Sequence, residues 1–244
     1  MGKLAVNFSE VVKSYSRRAV LSGINLQVRQ GEYTGLVGVN GAGKTTIIKS
    51  LLDFIAVDSG SITIFERDAT RTEARSNVAY LPEKFNPPYY LTGRDFLDYM
   101  ARLYRVAYDQ GRIETMLDVL DLEKSVLTRP VRQLSKGMSQ KLGLAACLLS
   151  GKELLVLDEP MSGLDPRSRA YLKQYLLELK GQNKTLFFST HLLNDIEVLC
   201  DRVAILHEGR IRYTGTPIEC CEYYNTDDFE QAYLKCISEK VKEQ

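Results

Sequence analysis

An α/β fold, strands alternating with helices, is what this sequence predicts, and three stretches carry the prediction. Tyr33-Thr34-Gly35-Leu36-Val37 reads as a short buried strand, followed by a glycine-rich loop and then a helix over Thr46–Leu52. Leu154-Leu155-Val156-Leu157 and Thr185–Phe188 are continuous apolar runs, as in parallel strands covered on both faces. Residues 84–148 carry apolar side chains at helical rather than strand spacing.

The elements follow in order. Residues 3–32 read as short strands: Leu4–Phe8, a turn near Ser14–Arg18, then Ile24-Asn25-Leu26-Gln27-Val28 with period-two alternation. Gln30-Gly31-Glu32 is a turn into the buried strand, and Ser59-Gly60 is a turn before the alternating Ser61–Phe65. Thr92 with Asp95 makes a capping-box start, after which Phe96, Leu97, Met100, Leu103 and Tyr104 line one helical face. Ile113, Met116, Leu117 and Leu120 form a second such face. Asp165-Pro166 opens a helix as N-cap and first-turn proline, and Gly181 stops it. Arg202–Leu206 is a further strand, turned by Glu208-Gly209 into Ile211-Arg212-Tyr213, and the tail is helical around Phe229–Ile237.

Composition excludes several classes. Of 244 residues, 44% are apolar, enough for a sizeable core. Thirty-two basic against 31 acidic residues leave a net charge of +1, which gives no electrostatic reason to bind nucleic acid. No apolar run reaches the roughly 20 residues of a membrane-spanning helix, and Met1-Gly2-Lys3-Leu4 does not open a signal peptide. The five cysteines include the vicinal pair Cys220-Cys221 but no C-x-x-C, which fits reduced thiols in a cytoplasmic setting.

Gly38-Val39-Asn40-Gly41-Ala42-Gly43-Lys44-Thr45 matches G-x-x-x-x-G-K-[ST], the phosphate-binding P-loop, in its proper strand–loop–helix context. Glycines let the backbone of Gly38, Asn40, Gly41, Ala42 and Gly43 curl so that N–H groups converge on phosphate oxygens. The N-terminus of the helix that begins at Thr46 adds partial positive charge. Lys44 is placed to reach the β- and γ-phosphates of a nucleotide and the Thr45 hydroxyl to hold Mg²⁺. Asp158-Glu159 ends the apolar strand at Leu154–Leu157, at the rim where open α/β sheets bind ligands. Asp158 there supports Mg²⁺, and Glu159 orients or deprotonates the attacking water. The expected core is therefore a P-loop NTPase, with an N-terminal antiparallel β subdomain and an inserted helical subdomain.

Leu134-Ser135-Lys136-Gly137-Met138-Ser139-Gln140 lies in the long gap between Lys44 and Asp158, shortly before the strand ending in Asp158-Glu159-Pro160. With these motifs in this order, the chain over residues 3–215 resembles the nucleotide-binding subunit of an ATP-binding cassette (ABC) transporter. The resemblance implies ATP and Mg²⁺ as ligands. It implies that Tyr15 stacks on adenine, with the alternative that it is an ordinary turn residue. Leu81-Pro82-Glu83 resembles the loop that senses γ-phosphate and Mg²⁺. Ser135 and Gly137 resemble the signature residues that bind the γ-phosphate of a nucleotide held by the opposite subunit, a role compatible with Ser135 being a helix N-cap. Ser162-Gly163-Leu164-Asp165 resembles the loop that crosses the dimer interface, and His191 the switch histidine on the γ-phosphate. Glu159, His191 and Lys44 are thus the expected catalytic residues, and Thr45, Glu83 and Asp158 the metal-binding ones.

The chain departs from the family pattern at Glu83, where glutamine is usual, so this side chain either ligates the metal directly or holds a proton. Lys136 and Met138 replace the usual Gly and Gln of the signature: Lys136 either attracts the partner's nucleotide or points into solvent, and Met138 makes the contact more apolar. Val39 replaces a common proline.

The resemblance implies an α/β nucleotide-binding core over 1–83 and 149–215, a helical signature subdomain over 84–148 and a helical tail over 216–244. It implies a head-to-tail dimer, with a copy of itself or a related cassette, that closes on two MgATP. That dimer drives a separate permease from the cytoplasmic face of the membrane, and the similarity favours export over import. The segment Phe85–Leu91 is either the permease contact or a packed connector. The alternative function is a soluble ABC ATPase working on ribosomes or DNA.

Overall fold

β-branched and aromatic residues recur along residues 4–29, and their alternation is interrupted where the strands bulge. In a computed structural model of the chain, residues 2–16 and 18–239 are described; Met1, Arg17 of the expected first turn and the last five residues of the expected tail lie outside them. Strand β1 spans Leu4–Tyr15 and β2 spans Arg18–Arg29, antiparallel, with register shifts between Phe8 and Val11 and again before Ser14. The sequence-based expectation of short strands is corrected here. Each bulge adds a residue and inverts the side-chain alternation, which hides the continuation of the strand from a period-two reading.

The chain divides into two compact units, residues 1–77 with 185–244, and residues 78–184. In the first, β3 (Tyr33–Val37) is buried along its whole length and leads through the glycine loop into α1 (Lys44–Leu51). Strand β4 (Ser59–Ile64) pairs with β1, and the two-residue β5 (Arg67–Asp68) extends the sheet to the order β2-β1-β4-β5. Ser59-Gly60, expected as a turn, is the start of β4. Gly60 has φ +85°, and a Cβ there would stand 2.4 Å from the Glu10 carbonyl oxygen, so glycine marks the close approach of a bulged neighbour.

The same unit holds β8 (Thr185–Thr190), α6 (Leu193–Leu199), β9 (Arg202–His207) and β10 (Arg210–Gly215). Strand β3 runs parallel to both β8 and β9, and β10 turns back antiparallel on β9. The tail forms α7 (Pro217–Tyr224) and α8 (Phe229–Ser238). Helix α7 had a readable start, since Thr216 and Glu219 form a capping box ahead of Pro217.

The second unit opens with β6 (Val78–Leu81), a strand the sequence reading did not separate from its loop. It continues with α2 (Gly93–Tyr104), α3 (Gln110–Val119), α4 (Lys136–Leu149), β7 (Leu154–Asp158) and α5 (Pro166–Lys180). Strands β6 and β7 are parallel, with Leu81 opposite Leu157. The expected capping box of Thr92 and Asp95 is present, and Ile113, Met116, Leu117 and Leu120 are all buried. Leu103 is a correction to the expected face of α2: it is 57% exposed, because periodicity reports the apolar side of a helix but not how far its packing partner reaches.

Asp95 and Glu219, both exposed capping carboxylates, are held below their ordinary values of 3.8 and 4.5. For Asp95 the main cause is the Thr92 hydroxyl, and for Glu219 the Thr216 backbone N–H. A depressed folded value means stability that is fully present above the ordinary carboxylate range and lost as pH falls through the folded values. Thermal midpoints measured from pH 6 to pH 2 are expected to fall less steeply in the double variant Asp95→Asn/Glu219→Gln than in the native chain.

Candidate nucleotide site

Within the first unit the P-loop is shaped by one close approach and one left-handed turn. A Cβ on Gly38 would stand 2.4 Å from the Leu206 carbonyl oxygen of β9. Gly43 has φ +115° and is the N-cap of α1 with no side-chain cap, so the helix begins directly out of a left-handed turn. Residues with a Cβ enter that region at a cost, which is why glycine stands there. The first-turn N–H groups of α1 lack intrahelical carbonyl partners by geometry, and no side-chain cap oxygen from Gly43 covers them. The helix starts at Lys44, two residues before the expected Thr46. The Lys44 ammonium, 6% exposed, donates to the Gly38 carbonyl at 2.6 Å and lies 3.5 Å from that of Val39. It is therefore held inside the curl of the loop. Asn40 and Gly41 are exposed at the loop tip, Ala42 is buried, and Thr45 and Thr46 are half-buried.

His191 is brought to the same end of the sheet. Thr190 pairs with Val37, the residue before Gly38, so His191 follows one position beyond the point where the loop leaves β3. It is exposed, and the Thr190 hydroxyl accepts from the Leu192 N–H at 3.0 Å, fixing the turn around it. Tyr15 closes β1, 46% exposed, with the Lys13 ammonium over its ring at 5.4 Å from the centroid.

The second unit assembles the acidic residues. Register places Pro82 and Glu83 past Leu81 as Asp158 and Glu159 lie past Leu157, at the shared C-terminal ends of β6 and β7. Asp158 is 1% exposed and Glu159 7%, whereas Glu83 is exposed. Tyr80, one turn of the pleat below, is pushed up to about 12, first by burial and then by the charges of Asp158, Cys147 and Glu83. Glu159 has φ +51°, a left-handed conformation uncommon for a residue with a side chain. Its carbonyl accepts from Ser162 N–H at 3.0 Å, so the strained residue opens a tight turn.

Ser135 caps α4, its hydroxyl accepting from the Met138 N–H at 3.2 Å. Ser135 and Lys136 are exposed, and Gly137 and Met138 half-buried. A Cβ on Gly137 would stand 3.2 Å from the Gly163 carbonyl, which puts the signature turn against the Ser162–Asp165 loop. Phe85 packs edge-to-face on Phe96 at 5.6 Å, whereas Tyr89 and Tyr90 are 67% and 70% exposed. The segment is thus a packed connector at its start and an aromatic surface at its end. Cys147 is buried, its thiol pushed up to about 12, in keeping with an unreactive core residue. Two buried charged residues escaped the sequence reading, Lys141 in α4 and Asp195 in α6.

No group of three or more His, Cys, Asp or Glu among the described residues is placed to hold a metal ion alone. Mg²⁺ binds through one or two protein oxygens plus substrate phosphates, and each unit by itself carries an oxygen of that kind. Thr45 supplies a hydroxyl at a helix start, and Asp158 supplies a buried carboxylate. No helix among the described residues is long and apolar enough to cross a membrane.

Comparison with known proteins gives the family. The ABC transporter family model matches residues 21–162. An uncharacterized ABC transporter ATP-binding protein of Synechocystis sp. is 41% identical over 218 residues, 88% of this chain and 61% of that protein, so the chain spans about three-fifths of that relative's length. The Nod factor export ATP-binding protein I of Paraburkholderia xenovorans is 35% identical over 221 residues, 89% of this chain and 72% of that protein. The solved structure of an ATP-binding subunit of an ABC transporter superposes with a TM-score of 0.86 at 28% identity, covering 95% of this chain and 99% of that one. The chain belongs to the ABC transporter family.

Proposed function

We infer that the chain binds and hydrolyses ATP as half of a cassette dimer that drives a separate membrane permease. The observation that carries this reading is the start of α1: a left-handed Gly43 opens the helix without a side-chain cap, with Lys44 folded into the loop beside it. That arrangement supplies backbone N–H groups, the positive end of a helix and one ammonium, which together suit a triphosphate.

Lys44 holds the β- and γ-phosphates, Thr46 and the backbone of Gly38–Thr45 surround them, and Tyr15 stacks on the adenine. Stacking contributes about 1–3 kcal/mol. Phosphate contacts therefore set the affinity, and Tyr15 mainly orients the base. Mg²⁺, held by Thr45 and Asp158 with Glu83 as a further oxygen donor, supplies neutralisation of the phosphate charge. Glu159 accepts the proton of the attacking water and aims its oxygen at the γ-phosphorus, while His191 donates to the γ-phosphate. Buried surroundings favour this use of Glu159, since a carboxylate shielded from bulk water is the better-directed base. Ser135 and Gly137 offer the uncovered start of α4 to the γ-phosphate bound by the other protomer. Nucleotide then bridges two chains, and hydrolysis releases them.

The export direction is supported by the name of the Paraburkholderia relative, at 35% identity. Tyr89 and Tyr90 form the permease contact, and the protein sits at the cytoplasmic face of the membrane through that partner. The cargo is set by the permease.

In Glu159→Gln, turnover is expected to drop by about 100-fold or more. MgATP is expected to convert this variant from monomer to dimer in sedimentation velocity, and a variant that stays monomeric would overturn the reading. Glu83→Gln is expected to shift the Mg²⁺ concentration for half-maximal ATPase rate several-fold. An unchanged rate and Mg²⁺ dependence would remove Glu83 from the metal site. Tyr89→Ala/Tyr90→Ala is expected to lose co-purification with the permease while retaining MgATP binding by the isolated chain; intact assembly would relocate the contact.

A further inference from the structure

Lys141 lies on α4 beyond the signature turn and is 8% exposed. An ammonium so withdrawn from water needs partners, and it has them from two other segments. It donates to the Asp121 carbonyl at 2.9 Å, just past α3, and lies 3.5 Å from Asp165 Oδ2. Asp165 is the N-cap of α5: its Oδ1 accepts from the Ser168 N–H at 3.0 Å, and its Oδ2 from the Ser168 hydroxyl at 2.5 Å. Asp121 is held from its other side as well, by Arg167 of α5 at 3.5 Å, and Arg167 in turn lies over the Tyr171 ring at 5.4 Å. A single buried cation therefore joins the end of α3, the body of α4 and the start of α5.

What makes this more than packing is what lies at each end. Asp165 ends the Ser162–Asp165 loop, and α4 begins at the Ser135–Gly137 turn. The two lie side by side, since a Cβ on Gly137 would stand 3.2 Å from the Gly163 carbonyl. A close approach at one glycine sets a distance but not an angle. The Lys141–Asp165 link, about one helical turn along α4 from that contact, supplies the second point and so fixes the orientation. We propose that Lys141 is a positioning residue: its ammonium locks the signature turn and the Ser162–Asp165 loop into one piece, so that both meet the second protomer together.

This rests on the dimer reading given above, and the test separates the two. In the full-length Glu159→Gln chain, MgATP binding is measured by calorimetry at concentrations where the chain is monomeric, and MgATP-dependent dimerisation by sedimentation. Lys141→Met and Asp165→Asn are each expected to leave monomer affinity within about 2-fold and to weaken dimerisation about 10-fold, with the double variant no worse than about either single one, as for two partners in one interaction. Lys141→Arg, which keeps the cation, is expected to stay within about 3-fold of the parent. With Glu159 intact, Lys141→Met is expected to lower kcat with little change in KM for MgATP. Asp165→Asn keeps an oxygen for the Ser168 N–H and carries the test if Lys141→Met does not fold. A parent that dimerises beside an unimpaired Lys141→Met, or additive losses in the double variant, overturns the proposal alone. A parent that remains monomeric with MgATP overturns the dimer reading, and this proposal with it.

Discussion

The passage from Gly43 into α1 is the constraint on which the rest of this molecule turns. A helix ordinarily begins with a side-chain oxygen folded over its first N–H groups, at a gain of about 1 kcal/mol. Here that cap is missing, and the turn before the helix is left-handed. The cap bond that a serine or aspartate would add there is forgone for the sake of the left-handed turn. Strand β3 holds this loop rigid: it is buried throughout and paired on both edges, to β8 and β9. The same pairing sets His191 one position beyond Thr190, level with the start of the loop. Binding geometry and sheet register are one fact seen from two sides.

The second unit applies a different logic to charge. Asp158 and Glu159 end a strand whose residues are all buried, where a carboxylate is costly unless a partner or a metal compensates it. Glu159 also adopts a left-handed backbone conformation, a further local cost of about 1–3 kcal/mol. Such expense is tolerated when the surrounding turn over-determines it, as the Ser162 N–H bond to the Glu159 carbonyl does. Glu83 at the neighbouring strand end is by contrast exposed and carries no such burial cost.

Helix caps elsewhere in this unit serve two ends. Ser135 satisfies the start of α4 from an exposed position, and Asp165 satisfies the start of α5 while facing a lysine from α4. The capping bonds hold the Asp165 carboxyl far below the usual carboxylate range, led by the Ser168 hydroxyl, with Lys141 a smaller influence. The carboxylate therefore stays ionised, and a buried ammonium opposite it keeps its counter-charge.

Features set by a few adjacent residues were legible in the sequence. The P-loop, the strand ending at Asp158, the capping box at Thr92 and the Asp165-Pro166 start each depend on neighbours within a turn or a strand, so spacing alone determines them. Features set by contacts between distant segments were not. The bulges that lengthen β1 and β2 depend on what the opposite strand offers, and Gly60 reads as a turn until Glu10 is seen beside it. Leu103 has a core residue's spacing but lies outside the core, and Lys141 has a surface residue's chemistry but lies inside it. Sequence determined the chemistry at each position, because motif chemistry is local. Only the tertiary structure decided which side chains are withdrawn from water, because burial belongs to the whole packed chain.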